Sequence, residues 1–406
     1  MITKVLGGGR EVGRVGLLNK FDGMEFLVDY GFMPQEPPKY PIESPEIKNA
    51  FLTHAHIDHS GMMPWLCSRY NTNVFSTRLT AEIAEILYSD SLKLAYAKGH
   101  PFPYGENEVE ITKDRFVYHE QNDKFLINDF EFRFYPAGHI PGSVLVEMVD
   151  SGVVFACDIN TIDTNLIEGA KPVKCRTLFI EGTYAGVNHP DRNEMEKEFI
   201  DEIEDTLKKG GKVIIPAFAV GRTQEIALIL DRMGEEIWLD GMGYKISEIM
   251  LKYGHYIKNT DRLRKIFEEI NFVYSNYGRK LALKSGLILT TSGMVNGGPV
   301  IWYIDKIKDD TKSAVIITGY QVEGTNGRML LENREIDLYG IKTRVNCKVK
   351  YYDFSAHAGH NELLKFIKKC SPENVILIHS ENPEKLAEEI DFAEVYIPEN
   401  GEEIKI

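Results

Sequence analysis

The sequence predicts an α/β protein with two textures along one chain, and three observations predict it. The 406 residues, 43% of them hydrophobic, are enough for two domains with substantial cores. Up to about Glu181 the apolar runs are short, β-branched and aromatic, bounded by glycine and aspartate, as strands are. From about Arg192 to Lys342 helical and strand-like runs alternate, which implies crossover units and a parallel sheet.

Taken in order, the first part offers strands at MEFLVDYG, KNAFLTH, NVFSTR, FEFRFYPAG, SVLVEMV, GVVFACD and CRTLFIE. They are interrupted by LTAEIAEILYSDSLKLAYA, whose apolar residues recur near the helical period. The second part runs RNEMEKEFIDEIEDTLKK as helix, KVIIPAFA as strand, RTQEIALILDRM as helix and EIWLDG as strand, with LILTTSG and SAVIITGY as later strands. The tail, RVNCKVKYYDFSAH, NELLKFIKKC, NVILIHSE, PEKLAEEI and AEVYIP, returns to the first part through the chemistry of its histidines. The expected division is therefore 1–185, 186–342 and 343–406, with the outer two segments forming one domain.

Several classes are excluded or disfavoured. No run approaches the roughly 18 apolar residues of a membrane helix, and MITKVLGGGREVG lacks the apolar stretch of a signal peptide, so a cytoplasmic protein without a membrane partner is expected. Five scattered cysteines with no CxxC pair speak against a disulfide framework and a cysteine-type zinc ribbon. The net charge of −14 speaks against a protein that coats itself in nucleic acid, unless a local basic groove or bound cations override it.

The chemistry concentrates in FLTHAHIDHSG. His54 and His56 lie two apart where an apolar strand ends and so project to one side, and Asp58 and His59 fall in the expected turn into a helix at GMMPWLCSRY. A lone histidine there would be a loop residue. Three histidines and an aspartate without cysteine form the donor set of a hydrolytic metal site. Two further candidates stand at strand ends: His139 in FYPAGHIPGS and Asp158 in VVFACDIN. Alone they would read as a turn histidine and a helix cap.

In this order the residues resemble the metallo-β-lactamase superfamily, whose fold is an αββα sandwich with two metal ions at one edge. The resemblance gives Asp29 in FLVDYG the role of orienting the ligand loop without binding metal. IEGTYAG with Glu181, YDFSAHAGH with His357 and VILIHSE with His379 are similar to the three motifs of the β-CASP nucleases. PAFAVGRTQE, TTSGMVNGG and GYQVEGTNGR resemble that group's internal signatures, which makes the helix-and-strand block an inserted β-CASP domain. GGGREVGRVG and FSAHAG look more like the archaeal cleavage and polyadenylation specificity factor-type endoribonucleases than like ribonuclease J. Because the chain begins at the sandwich, the form without an N-terminal KH region is expected. Two departures stand out: HSE where the family usually has HGE, placing Ser380 at a glycine position, and EGTYAG where it usually has ESTYG.

The resemblance implies two zinc ions, one held by His54, His56, His139 and Asp158, the second by Asp58, His59, His379 and a bridging Asp158. It implies Asp58 as the group that orients the attacking hydroxide and His357 as the acid for the leaving oxygen, with Glu181 fixing its tautomer. The inserted domain is expected to wall a cleft that admits a single strand. DNA-directed members carry valine at the position of His379, so the expected substrate is single-stranded RNA, cut endonucleolytically in 3′-end processing or decay. The alternatives are a 5′-to-3′ exoribonuclease of ribonuclease J type, a scaffold subunit that has lost catalysis, and a diiron flavoprotein. The scaffold reading conflicts with seven filled ligand positions. The flavoprotein reading conflicts with His56 in place of a glutamate and with the position of the parallel block.

GRTQE lacks GxxxxGKS/T and so is not a phosphate loop; Arg222 and Thr223 are expected at a domain interface or on an RNA backbone. GGGREVG is read as a tight turn between strands, not a dinucleotide fingerprint. His100, His119, His189, His255 and His360 are expected to be solvated or structural. AEVYIPENGEEIKI offers an edge strand able to pair, oligomeric state is left open, and the partners the reading allows are a homodimer or an RNA-processing complex.

Overall fold

The computed structural model describes all residues except Glu36. The chain divides into two compact units, one of Met1–Asp163, Glu168–Asn188 and His357–Ile406, the other of Thr164–Ile167 and His189–Ala356.

The first unit is built on two seven-stranded sheets. One runs Glu403–Lys405, Ile2–Gly7, Gly16–Phe21, Met24–Tyr30, Asn49–Phe51, Asn73–Ser76 and Phe116–Tyr118; the other runs Glu394–Tyr396, Asn374–Ile378, Thr177–Glu181, Val153–Ala156, Val144–Met148, Phe130–Pro136 and Lys124–Ile127. Side chains alternate between faces along a strand, and the burial follows that period of two. Phe26, Val28, Phe51, Phe132, Phe134, Val153, Phe155, Phe179, Ile376 and Ile378 enter one core shared by both sheets. The intervening Val154, Ala156, Leu178, Ile180, Val375 and Leu377 enter a second core with Leu363, Phe366 and Ile367 of the helix His360–Cys370. On the other sheet's outer side, the helix Met63–Tyr70 lies against Asn73–Ser76 and packs with Glu106–Lys113, which also touches the long helix Arg78–Lys98. The long helix begins where the Thr77 hydroxyl accepts from the Thr80 amide and stops at a left-handed Gly99. The layers are thus helix, sheet, sheet, helix.

The shared core is aromatic. The ring of Phe26 meets Phe51, Phe132 and Phe155 edge to face, at centroid distances of 5.6, 5.5 and 6.0 Å. This geometry contributes beyond area burial, and it joins residues of both sheets.

The second unit carries a sheet ordered Asn271–Phe272, Trp238–Asp240, Leu287–Thr290, Val213–Pro216, Ala314–Ile317 and Lys348–Tyr351, in which every pairing is parallel. Its central strands LILT, VIIP and AVII are wholly buried, the pattern of strands covered on both faces by crossover helices. Thr223, expected at an interface or on RNA, donates its hydroxyl to the Phe218 carbonyl at 2.8 Å and closes the turn into its own helix.

The tail was assigned to the first domain from residue 343, but Lys348–Tyr351 pairs in parallel with Ala314–Ile317 and completes the second unit's sheet, which places the second crossing between Ala356 and His357. Alternation marks a strand without marking which sheet it joins, because the partner is distant in sequence. The C-terminal segment also splits: Glu394–Tyr396 is the outermost strand of one sheet and Glu403–Lys405 that of the other, paired to Ile2–Lys4. Among the described residues no helix is long and apolar enough to cross a membrane.

Phe26→Ala should cost about 3–5 kcal/mol of stability by leaving a cavity between the sheets. Denaturant titration followed by circular dichroism should show a lowered midpoint with an unchanged slope; a loss under about 1 kcal/mol would mean that this ring does not couple the sheets.

Candidate metal centre

The candidate residues gather at the carboxyl ends of strands in the first unit. His54 and His56 follow Asn49–Phe51, His139 follows Phe130–Pro136, Asp158 follows Val153–Ala156, Glu181 ends Thr177–Glu181 and His379 follows Asn374–Ile378. The strands bearing Asp158, Glu181 and His379 are mutually parallel, with Ala156 opposite Ile180 and Glu181 opposite Ile378, so their ends are level. Ligands of open α/β sheets bind at such ends.

Asp58 and His59 were expected in a turn. They lie inside a short helix, Ile57–Ser60, which closes early because the His56 carbonyl accepts from the amides of His59 and Ser60 at 3.0 and 2.8 Å. The helix at GMMPWLCSRY is a separate one, Met63–Tyr70.

Four groups of donor atoms result, each with its atoms within 4.8 Å of one another: His54, His56, His139 and Asp158; Asp58, His59 and His379; Asp29, His54 and His59; and Asp158, Glu181 and His357. Asp158 faces both of the first two. Its Oδ2 is 3.5 Å from Nε2 of His54 and of His139, and its Oδ1 is 3.2 Å from His59 Nε2 and 3.5 Å from His379 Nδ1. His379 Nε2 stands 3.4 Å from Asp58 Oδ2. His59 Nε2 and Asp158 Oδ1 are buried and make no hydrogen bond, although they face each other. Converging buried donor atoms that do not bond one another suit two ligands of one cation, and an imidazole and carboxylate set suits zinc or another borderline divalent ion.

The electrostatics point the same way. Burial pushes His54 well below the ordinary histidine range and His56 down to about 4, so both present unprotonated nitrogens. Burial also acts to lower His59, but Asp158 and Asp29 outweigh it and hold the ring's proton. Carboxylates that attract a proton to His59 attract a cation equally. Burial acts to raise Asp58 and Asp158, yet the neighbouring imidazoles, His379 first for Asp58 and His59 first for Asp158, hold both carboxylates ionised.

Asp29 and Glu181 are engaged elsewhere, which assigns them supporting positions. Asp29, fully buried with φ of 55°, accepts from the Thr53 amide at 2.8 Å and hydroxyl at 2.7 Å and lies 2.8 Å from His59 Nδ1. Glu181, also fully buried, accepts from the Ile159 amide at 2.7 Å and lies 2.8 and 2.9 Å from His357 Nδ1. Burial works to lower His357, but Glu181 and then Asp158 outweigh it and raise the ring to about 9; its Nε2 faces Asp158 at 3.9 Å. A protonated imidazole fixed by a carboxylate is equipped to give up a proton.

Sequence reasoning missed the supports of these loops. GGGREVG is more than a turn: the Gly8 carbonyl accepts from the His379 amide at 2.7 Å, and the Val15 amide donates to the Asp58 carbonyl at 2.8 Å. Gly138, at φ of 69°, passes so close to the Asn160 carbonyl that a Cβ would lie 2.2 Å from it, which couples the His139 loop to the Asp158 loop. Thr183 Oγ1 lies 3.1 Å from His379 Nδ1. Among the histidines expected to be structural, His360 accepts from the Gly186 amide at 2.9 Å and meets Glu389 at 2.8 Å, and His119 stacks on Phe125 at 3.7 Å.

The two departures from the family spelling are one feature. Ser380, almost fully buried, donates its hydroxyl to the Gly182 carbonyl at 2.6 Å, and a Cβ on Gly182 would lie 2.7 Å from Ser380 Oγ and 2.9 Å from its Cβ. There is room for one side chain between these strand ends. The positive φ in this motif belongs to His379, at 49°, and not to residue 380. Gly182→Ser should therefore reduce metal content and thermal stability, Ser380→Gly should do so less, and the double variant should recover much of the loss. Metal analysis and thermal unfolding of the four proteins measure the coupling; strictly additive effects would show that the positions are independent.

The comparisons with known proteins run the length of the chain. Residues 15–216 match the metallo-β-lactamase superfamily, 223–330 a Beta-Casp domain and 342–398 a Zn-dependent metallo-hydrolase RNA specificity domain. RNase aCSPSF2 of Saccharolobus solfataricus is 36% identical over 99% of this chain and 85% of its own length. Probable RNase MJ4 of Methanocaldococcus jannaschii is 34% identical over 92% of each chain, and the transcription termination factor FttA of Pyrococcus abyssi is 34% identical over 94% of this chain and 66% of its own. Among solved structures, a protein of unknown function from Enterococcus faecalis superposes with a TM-score of 0.61 at 16% identity, covering 99% of both chains, a likeness of fold alone. On this identity and coverage, the chain belongs to the β-CASP group of the metallo-β-lactamase superfamily.

Proposed function

We propose that this protein is a zinc-dependent ribonuclease that hydrolyses phosphodiester bonds of single-stranded RNA, cutting endonucleolytically in 3′-end processing or decay. The observation that carries the reading is the two-sided carboxylate of Asp158, with two imidazoles at each oxygen and the Glu181–His357 pair beside it. The names of the relatives, two ribonucleases and a transcription termination factor, support RNA as the substrate, and the reading places the protein in the cytoplasm.

His54, His56, His139 and Asp158 would hold one zinc ion, and Asp58, His59, His379 and the shared Asp158 the other. Such ions supply Lewis acidity toward a phosphoryl oxygen and a nucleophilic water at neutral pH. The chain's own residues do the rest. Asp58, the more exposed of the two aspartates, accepts a hydrogen bond from the attacking water and orients it. Glu181 holds His357 Nδ1–H, so that Nε2 carries the transferable proton toward the leaving ribose oxygen. No side chain need form a covalent intermediate.

His357→Ala should retain both metal ions and lose at least a hundredfold in cleavage rate, the ordinary scale for a general acid. Metal analysis and single-turnover cleavage of the same preparations measure this, and undiminished cleavage would remove His357 from the mechanism. Metal content of one ion per chain in fully loaded protein would overturn the paired site. On 3′-end-labelled single-stranded RNA, discrete internal products that survive a blocked 5′ end are expected. Progressive shortening abolished by the block would identify a 5′-to-3′ exoribonuclease, and no cleavage would leave a scaffold.

A further inference from the structure

Cys175 and Cys370 are far apart in sequence, with the main segment of the second unit, His189–Ala356, between them, yet they meet in the first unit. Cys370 ends the helix His360–Cys370, and Cys175 just precedes the strand Thr177–Glu181. Helix and strand pack through Leu363, Phe366 and Ile367 against Leu178 and Ile180. Near one end of this pair lie Glu181 and His357; at the other end lie the two thiols.

The backbone around the thiols is held in place. The Cys175 amide donates to the Cys370 carbonyl at 3.3 Å, the amides of Glu373 and Asn374 donate to the Arg176 carbonyl at 2.8 and 3.1 Å, and Lys174 Nζ donates to Ser371 Oγ at 2.7 Å. Each thiol acts first on the other: Cys370 holds the Cys175 thiol up, Cys175 holds the Cys370 thiol down, and the Lys174 ammonium acts more weakly to lower both. Cys370 is buried and Cys175 is partly open to solvent, whereas Cys67, Cys157 and Cys347 are buried, the last two in other cores. Disulfides need two Cα atoms a few ångströms apart with fixed backbones, which this arrangement supplies.

We propose that Cys175 and Cys370 are a modification site: a dithiol that closes to an intramolecular disulfide by exchange with a small-molecule disulfide of the glutathione class. The sulfur of Cys175, the one solvent reaches, attacks one sulfur of the small disulfide. That S–S bond breaks, and the departing thiolate takes up the proton Cys175 gives. The sulfur of Cys370 then attacks the Cys175 sulfur of the mixed disulfide, expelling a second small thiol, which takes the Cys370 proton. Two protein thiols are oxidised and one small disulfide is reduced to two thiols. The bond closes a loop that contains His189–Ala356 of the second unit, and cross-links that close long loops restrict the unfolded chain most. It also fastens the far end of the strand and helix whose near ends carry Glu181 and His357.

The test treats the full-length native protein with oxidised glutathione, then counts thiols after denaturation and maps disulfides by peptide mass. The expected result is a fall from five free thiols to three, a Cys175–Cys370 peptide pair and no retained glutathione, with a melting temperature raised by several degrees and restored by dithiothreitol. Cleaving the oxidised chain within the second unit should leave fragments that separate only on reduction. Cys370→Ser should instead trap glutathione on Cys175, and Cys175→Ser should keep its four thiols. Five thiols surviving in the wild type, stable glutathionylation of Cys175 in the presence of Cys370, or a cross-link between other cysteines would each overturn the proposal. None of these readouts involves RNA cleavage, so the result stands apart from the ribonuclease reading.

Discussion

The carboxylate of Asp158 is the constraint around which the first unit is arranged. A buried carboxylate ringed by four imidazole nitrogens at 3.2–3.5 Å is stable only while positive charge accompanies it, whether as protons on the rings or as metal ions. The charge is apportioned unevenly: burial keeps His54 and His56 neutral, while His59 and His357, each backed by a second carboxylate, retain theirs. The site is therefore polarised before any substrate arrives: Asp158 Oδ2 faces the neutral ring of His54 and the proton-holding ring of His357, and Oδ1 faces that of His59.

Keeping such a cluster together requires rigid supports, and the two-sheet sandwich provides them. Its aromatic core couples the sheets, and the level strand ends deliver Asp158, Glu181 and His379 into one plane. The remaining freedom is removed by backbone contacts between loops distant in sequence, such as Gly8 with His379, Val15 with Asp58 and Gly138 with Asn160. Asp29 and His379 occupy left-handed backbone conformations, uncommon outside glycine though more accessible to aspartate and histidine than to most residues, and the surrounding contacts hold them there. Ser380 and Gly182 belong to the same supporting layer, since the hydroxyl of one fills the space the other leaves.

Much of this was legible in the sequence. The strands that carry the site, the long helix Arg78–Lys98 and the alternation of the second unit follow from periodicity and from glycine, threonine and aspartate at the boundaries. The histidines and aspartates of the site stood out because their density at strand ends is out of proportion to what a soluble core needs. What was not legible shares one cause: it depends on partners remote along the chain. The sheet joined by Lys348–Tyr351, the fate of the C-terminal segment as two separate edges and the function of GGGREVG are all decided by non-local pairing.

The sequence by itself determined the composition of the site and the local elements that present it, because ligand type, side-chain period and capping chemistry are short-range properties. Only the tertiary structure decided which donors share a neighbourhood, that Asp158 has imidazoles at both oxygens, that Asp29 and Glu181 are occupied in holding histidines, and that Cys175 meets Cys370. Those outcomes depend on bringing together residues up to the length of the chain apart. The packing of two twisted sheets imposes that juxtaposition, and no local pattern encodes it.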